Sequence, residues 1–94
     1  MKVTIVKEDN LVLIDNEGLE LDLSGVNFPA NFWALQWNGS SGHIEYNSPM
    51  VQNDEITTLP EWANASVTKW QTRKAEIVAA EAAAAEAEAA TQTP

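Results

Sequence analysis

The chain has 94 residues, no cysteine and a formal net charge of −9, with five basic and fourteen acidic side chains. A chain of this length builds one domain, and the lack of cysteine excludes disulfides, thiolate metal sites and cysteine nucleophiles. The charge argues against nucleic-acid binding, which needs a positive surface, and favours either an acidic solvated surface or an acidic face that meets a basic partner.

Neither a signal peptide nor a membrane span is visible in the sequence. No basic segment followed by an apolar one opens the chain, and no apolar run approaches the roughly 18 to 20 residues that cross a bilayer. We therefore expect a soluble protein that is made inside a cell and has no membrane partner.

Two short apolar runs near the start of the chain predict a first β-hairpin. Residues 2–6 are rich in β-branched side chains, and residues 11–14 are again apolar after a polar stretch. Residues 15–18, Asp-Asn-Glu-Gly, then predict a turn in which Gly18 adopts a positive φ.

A third strand and a loop follow. Leucines at alternate positions are typical of a half-buried strand with its acidic residues in water, and they are Leu19, Leu21 and Leu23. Residues 24–31 contain glycine and proline and should form a loop, with Phe28 closing an edge of the core.

The stretch 32–46 holds most of the large side chains and predicts a second hairpin. A loop of residues 38–41 pairs Trp37 with Gly42, Leu35 with Ile44 and Trp33 with Tyr46, and places all the large apolar groups on one face. A loop longer by one residue pairs Trp37 with His43 and moves one strand's side chains to the wrong face, so the shorter loop is favoured.

Residues 47–57 predict an irregular crossing whose apolar anchors are Met50, Val51 and Ile56. Part of this crossing could form a further edge strand, and this alternative stays open at the level of the sequence. Pro49 favours a position at a sheet edge, since proline cannot donate to a central ladder.

One long helix is predicted after a capping box at residues 58–61. Its apolar stripe, at spacings of three and four, should pack on the sheet through Trp62, Val67 and Trp70. Residues 1–78 are therefore interpreted as a single α+β domain: an antiparallel sheet of four to five strands, in an open order, with one long C-terminal helix packed on it.

Residues 79–94 are an Ala/Glu-rich helical extension with a disordered end from Thr91 to Pro94. The extension lacks large side chains, so it should project from the domain. Two interpretations remain: a solvated helix end, or an alanine face through which the protein forms a homo-oligomer.

No residue pattern indicates catalysis, a cofactor or a metal ion. His43 is the only histidine, and without cysteine a zinc site there would need carboxylates to supply most of its ligands, so no structural zinc is expected. The neighbouring serines fit turn chemistry, since the nucleophile-elbow pattern would need glycine at position 43. No phosphate-binding motif occurs and no pair of carboxylates is singled out, so we predict a protein that is not an enzyme.

Four tryptophans in so short a chain suggest either core packing or a binding surface. Core packing is favoured for most of them, and Trp37, nearest the hairpin tip, is expected to remain partly exposed. The candidate interaction surface is Trp37, Asn38, His43 and Tyr46.

Four parts of the chain resemble small, poorly characterised proteins of tailed bacteriophages. They are the opening M-K-V-T-I-V, the segment L-D-L-S, the hairpin A-L-Q-W-N-G-S-S-G-H-I-E-Y, and N-D-E-I-T-T-L before a tryptophan-bearing helix. The matching residues are 1–6, 21–24, 34–46 and 53–70. Such proteins are often encoded near tail or tail-fibre genes. The resemblance implies a phage origin and a virion or assembly role, and it supplies no catalytic residues.

From this resemblance we expect a non-enzymatic accessory protein that binds a virion or tail component, in the host cytoplasm or in the virion. One alternative is an inhibitor of a host defence or metabolic protein that acts through an acidic surface. A third is a sponge that stacks a signalling nucleotide on Trp37 or Tyr46.

Overall fold

The strands of this protein form one antiparallel sheet that is covered on one face by a helix. The structure, a computed structural model, describes residues 1–48 and 50–92, and the side chains only as far as residue 85. Within these residues the elements are β1 (Val3–Val6), β2 (Leu11–Ile14), β3 (Glu17–Glu20), β4 (Phe32–Trp37), β5 (Gly42–Tyr46), β6 (Asp54–Ile56) and α1 (Glu61–Gln92), with a 3₁₀ turn at Lys7–Asp9. The predicted α+β class is confirmed.

The strand order is β3-β2-β1-β4-β5-β6, so two three-stranded meanders meet through their first strands. The predicted first hairpin is confirmed, with Val3 opposite Ile14 and Val6 opposite Leu11. The predicted count of four to five strands is wrong, because the described sheet has six. The added strand is β6, whose sequence Asp-Glu-Ile is too short and acidic to show an apolar alternation.

The turn between β2 and β3 is tighter than predicted. Asp15 and Asn16 occupy it with φ of 49° and 72°, and both residue types tolerate this left-handed region. Gly18 is not part of the turn, which corrects the expected positive φ. It lies in β3 opposite Leu13.

The alternation of leucines continues beyond the end of β3. The strand ends at Glu20, two residues into the predicted pattern, yet Leu21 and Leu23 are buried and Asp22 is exposed. The predicted loop at residues 24–31 follows, and Phe28 stacks on Phe32 with ring centroids 4.8 Å apart. These contacts close one end of the core.

The register of the second hairpin is confirmed near its loop and wrong at its base. Trp37 pairs with Gly42 and Leu35 with Ile44, as the shorter loop requires. A β-bulge between Phe32 and Ala34 then makes Phe32, not Trp33, the residue opposite Tyr46. The extra residue is Trp33, and Phe32 takes its place in the core.

One face of the sheet and the first half of α1 build the core. The buried apolar residues of the strands are Val3, Ile5, Val12, Ile14, Phe32, Leu35, Trp37 and Ile44. The helix contributes Ala63, Val67 and Trp70, and the indole Nε1 of Trp70 donates to the carbonyl oxygen of Glu17 at 3.1 Å. The apolar stripe of the helix therefore packs on the sheet as predicted, through buried Val67 and Trp70 and through Trp62, which is partly buried beside Phe32.

The start of α1 differs from the capping-box prediction. The helix begins at Glu61, and the amides of Ala63 and Asn64 donate to the carbonyl oxygen of Pro60. A cap at Thr58 would require a helix from Leu59, so the predicted box is wrong.

The later part of α1 leaves the sheet. Ile77 is half-buried, whereas Val78 and residues 79–85 are exposed. The helix continues to Gln92 and so includes Thr91, while Thr93 and Pro94 lie outside the described residues.

In the crossing before β6, Met50 and Val51 are exposed and do not anchor the core as predicted, and only Ile56 packs against it. These two residues lie in a turn whose backbone bond, from the Val51 amide to the Ser48 carbonyl, leaves their side chains outside the sheet. Pro49 lies outside the described residues.

Candidate functional site

Of the four residues of the predicted interaction surface, Trp37, Asn38 and His43 line one cleft of about 220 Å³, and Tyr46 lies outside it. Trp37 has an exposed fraction of 9% and belongs to the core, which corrects the expectation that it remains accessible. It is opposite Val3 in β1 and belongs to the same buried cluster as Val67 and Trp70 of the helix. Nearness to the hairpin tip therefore did not expose it.

Asn38 organises the loop between β4 and β5. Its side-chain Oδ1 accepts hydrogen bonds from the backbone amides of Ser40 and Ser41 at 3.1 and 2.9 Å, and its backbone amide donates to the Ser41 carbonyl at 2.9 Å. Gly39 follows with φ of 107°. The side chains of Asn38 and the serines are thus turn-forming groups, and both serine hydroxyls contact Asn38.

His43 lies close to this loop, on the sheet face opposite to the helix. Its Nε2 is 3.4 Å from Oε2 of Glu45, and both side chains are partly exposed. Across the strands it is opposite Gln36 and Glu55. The structure thus brings Asn38 and His43 together at the hairpin tip, where they line one cleft with the largely buried Trp37.

Tyr46 lies at the far end of β5. Its hydroxyl donates to Oδ2 of Asp54 at 2.5 Å, and this hydrogen bond, with a smaller contribution from burial, raises the pKa of Tyr46 above its usual 10.0. Tyr46 and His43 therefore belong to opposite ends of the same strand.

The described side chains offer no group of three or more histidine, aspartate or glutamate residues placed to hold a metal ion. No helix in the described part of the chain has the length and apolar character needed to cross a membrane.

The residue that sequence reasoning misplaced is Trp33. The bulge leaves it with an exposed fraction of 45%, and it lines a shallow cleft of about 330 Å³ with Lys7, Glu8 and Asn47. The available signal was the adjacent pair Phe32-Trp33, because two neighbouring residues of a strand cannot both face the core. Trp33 is thus an exposed indole at the bulge near the start of β4.

A second cleft, of about 340 Å³, separates the end of β3 from α1. Residues 20–22 form one wall, and the helix residues Thr68, Lys69, Thr72, Arg73 and Glu76 form the other. Asp22 lies on this wall, and hydrogen bonds from the hydroxyl and the amide of Ser24 lower its pKa. The strand side of this cleft therefore carries two carboxylates, and the helix side carries Lys69 together with the ion pair of Arg73 and Glu76.

A scan against protein-family models found no match for the chain, and searches of curated proteins and of solved structures found no match either.

Proposed function

We propose that this chain is a non-enzymatic bacteriophage accessory protein that binds a virion or tail component through the surface around Trp33. The phage assignment rests on the sequence resemblance of residues 1–6, 21–24, 34–46 and 53–70. The binding role rests on the exposed indole of Trp33.

Trp33 carries the proposal because its exposed indole at the bulge offers a partner a large apolar area. Tryptophan is enriched among the residues that contribute most to protein interfaces, and its ring buries a large apolar area with few rotatable bonds. A polar residue at the bulge would satisfy the fold equally well, since Phe32 already fills the core position.

The surroundings of Trp33 match the usual anatomy of such a contact. Lys7 and Glu8 of the 3₁₀ turn and Asn47 after β5 line the same cleft. An apolar anchor within a polar rim excludes water from the anchor when the partner docks, and the rim gives specificity. A partner that inserts a side chain beside Trp33 would use both features.

The test is a pair of variants, Trp33→Ala and Met50→Ala. Met50 is 89% exposed and is not among the residues that line the Trp33 cleft, so it controls for the loss of an exposed apolar side chain. Phage particles from cells that express each variant are purified and analysed by mass spectrometry. We expect wild type and Met50→Ala to co-purify with particles, and Trp33→Ala to be lost from them while its thermal melting is unchanged.

Retention of Trp33→Ala on particles would contradict the Trp33 surface. Absence of the wild-type protein from particles, together with recovery of a host protein in pull-downs at low salt, would instead support the alternative of a host-directed inhibitor. An acidic surface acting on a basic host protein should bind more strongly as ionic strength falls, because salt screens exposed charges.

The nucleotide-sponge alternative is weakened by the position of its aromatic residues. Trp37 is buried, so a base cannot stack on it without opening the core. Of the two residues suggested for stacking, only Tyr46 is accessible, and its hydroxyl is bonded to a carboxylate that repels phosphate. Unchanged melting with a panel of nucleotides would exclude this role.

A further inference from the structure

We infer that the outer edge of β3 is a second docking site, which adds an extended segment of another protein, with Lys or Arg at alternate positions, as a further strand of the sheet beside α1. The inference rests on the proposed protein-binding function and assigns that function a second site. It follows from the backbone of β3, from the cleft beside it and from the charges around both.

The backbone of β3 is available on one side. The amide of Leu21 donates to the Asn10 carbonyl at 2.8 Å, so odd-numbered residues here direct their backbone groups towards β2. Because these directions alternate along a strand, Gly18 and Glu20 direct theirs away from β2. β3 is the last strand on this side of the described sheet, and both residues are exposed.

The described edge has no lysine, proline or bulge, and β3 pairs with β2 in continuous register. Its protection is its length of four residues and its two glutamates, and these carboxylates oppose an acidic segment but not a basic one. The leucine side chains at positions 11 and 13 cover Gly18 on one face of the sheet, so the edge of β3 is open only in the plane of the sheet.

The helix provides a wall beside the edge. Trp70 and Lys74 hold α1 against Glu17 at the start of β3, through an indole hydrogen bond and an ion pair. The cleft of about 340 Å³ then opens between residues 20–22 and the helix residues Lys69 and Arg73. An extended segment that pairs with β3 therefore lies along a groove that can accept side chains, an arrangement in which main-chain bonds give affinity and the groove gives selectivity.

The opposite edge of the sheet is a poorer template. β6 is one residue shorter than β3, and the cleft at its end is walled by the hairpin loop and residues of β5 and β6 rather than by a helix. Only the β3 edge combines exposed backbone groups with a helical wall within the described residues.

The charges around the edge indicate the kind of partner. Glu20 and Asp22 are exposed on the strand side, whereas Lys69 and Arg73 lie on the helical wall, so basic side chains of a partner are favoured only on the strand side of the cleft. Two copies of this chain that paired through β3 would bring these carboxylates together, and like charges on adjacent strands are destabilising. Basic side chains at alternate positions of a partner segment would instead lie on the face that carries Glu20.

The experiment uses the full chain labelled for amide NMR and two probes, capped peptides of alternating Lys and Val or alternating Glu and Val. We expect the Lys-Val peptide to shift the amide signals of Gly18 and Glu20 and to protect these amides from hydrogen exchange. The effect should decline between about 0.02 M and about 0.3 M salt, as exposed charges are screened. The Glu-Val peptide should leave both signals unchanged.

Two charge reversals provide the matched comparison. Glu20→Lys should weaken binding of the Lys-Val peptide by about tenfold or more, which corresponds to the loss of a favourable contact of about 1.4 kcal/mol. Glu55→Lys makes the same change of charge on the exposed edge strand β6 and should leave binding within about twofold of wild type. Equal losses in both variants would show a non-specific effect of net charge and would overturn the inference.

The two proposals fail separately. Unshifted Gly18 and Glu20 amides at millimolar Lys-Val peptide would overturn strand addition even if Trp33→Ala abolishes particle binding. Loss of particle co-purification for the wild type would overturn the phage role, whereas the peptide result at the β3 edge would stand.

Discussion

Trp70 is the side chain through which the helix holds the sheet, and its removal tests the architecture most directly. It is 9% exposed, lies in the core with Val67 and Ala63, and donates a hydrogen bond to the carbonyl of Glu17. A buried indole removes about 150 to 250 Å² from water, which at about 25 cal/mol per Å² amounts to roughly 4 to 6 kcal/mol as an upper bound. Alanine retains part of this burial, so Trp70→Ala should cost about 3 to 5 kcal/mol.

The assay is urea unfolding followed by circular dichroism, which does not depend on tryptophan fluorescence. With a slope of about 2 kcal/mol per molar urea, a loss of about 4 kcal/mol moves the midpoint down by about 2 M. Trp70→Phe keeps most of the packing and removes the donor to Glu17, so it should lose only about 1 to 2 kcal/mol.

Trp33→Ala is the matched control, since it makes the same substitution at an exposed site and should cost less than about 1 kcal/mol. A loss below about 1 kcal/mol for Trp70→Ala would refute the packing of α1 on the sheet.

Three further predictions follow from local geometry. A Cβ at Gly42 would overlap the Gln36 carbonyl and lie 2.9 Å from the Trp37 Cα, whereas a Cβ at Gly25 would have nothing within 4 Å. In urea melts, Gly42→Ala should therefore lower the free energy of unfolding by about 2 kcal/mol or more, and Gly25→Ala by less than about 0.5 kcal/mol. Tyr46 is the single tyrosine, so an absorbance titration reports the pKa of this side chain alone. The midpoint should lie above 10.0, and Asp54→Asn should lower that midpoint. The stability that the hydrogen bond from Tyr46 to Asp54 contributes below pH 10 should be lost as the pH rises through the raised pKa. Removal of residues 79–94 should leave the melting temperature nearly unchanged because residues 79–85 are exposed, and sedimentation of both chains should show self-association of the full chain only if the alanine face is used.

The sequence predicted the parts of the fold in which side-chain patterns force one answer. The pairing of Leu35 with Ile44 followed from the need to keep large apolar groups on one face, and the contact of Trp70 followed from helical spacing. A one-residue bulge at Trp33 has no such constraint, because either Phe32 or Trp33 could fill the same core position. Its outcome depends on the fit of Phe32 between Phe28 and Trp62, which is a tertiary property.

The candidate sites were harder to predict than the fold for a related reason. Exposure of Trp33 results from the bulge, and the interaction surface assigned to Trp37 assumed that a residue near a hairpin tip lies in solvent. The cleft beside β3 joins residues 20–22 to the helix, which are far apart in sequence. No local pattern reports such a groove, since it depends on where α1 crosses the sheet.

The meeting of the two meanders along β1 and β4 has a consequence for the kinetics of folding. Each meander joins strands that are near in sequence, whereas the β1–β4 pairing has the longest sequence separation in the sheet. Short loops close at a lower entropic cost than long ones, so both meanders can begin to form before they are joined. We expect the joining of the preformed meanders to limit the rate, so Ile5→Val along the β1–β4 seam and Ile56→Val in the β5–β6 pair should both slow folding more than they accelerate unfolding.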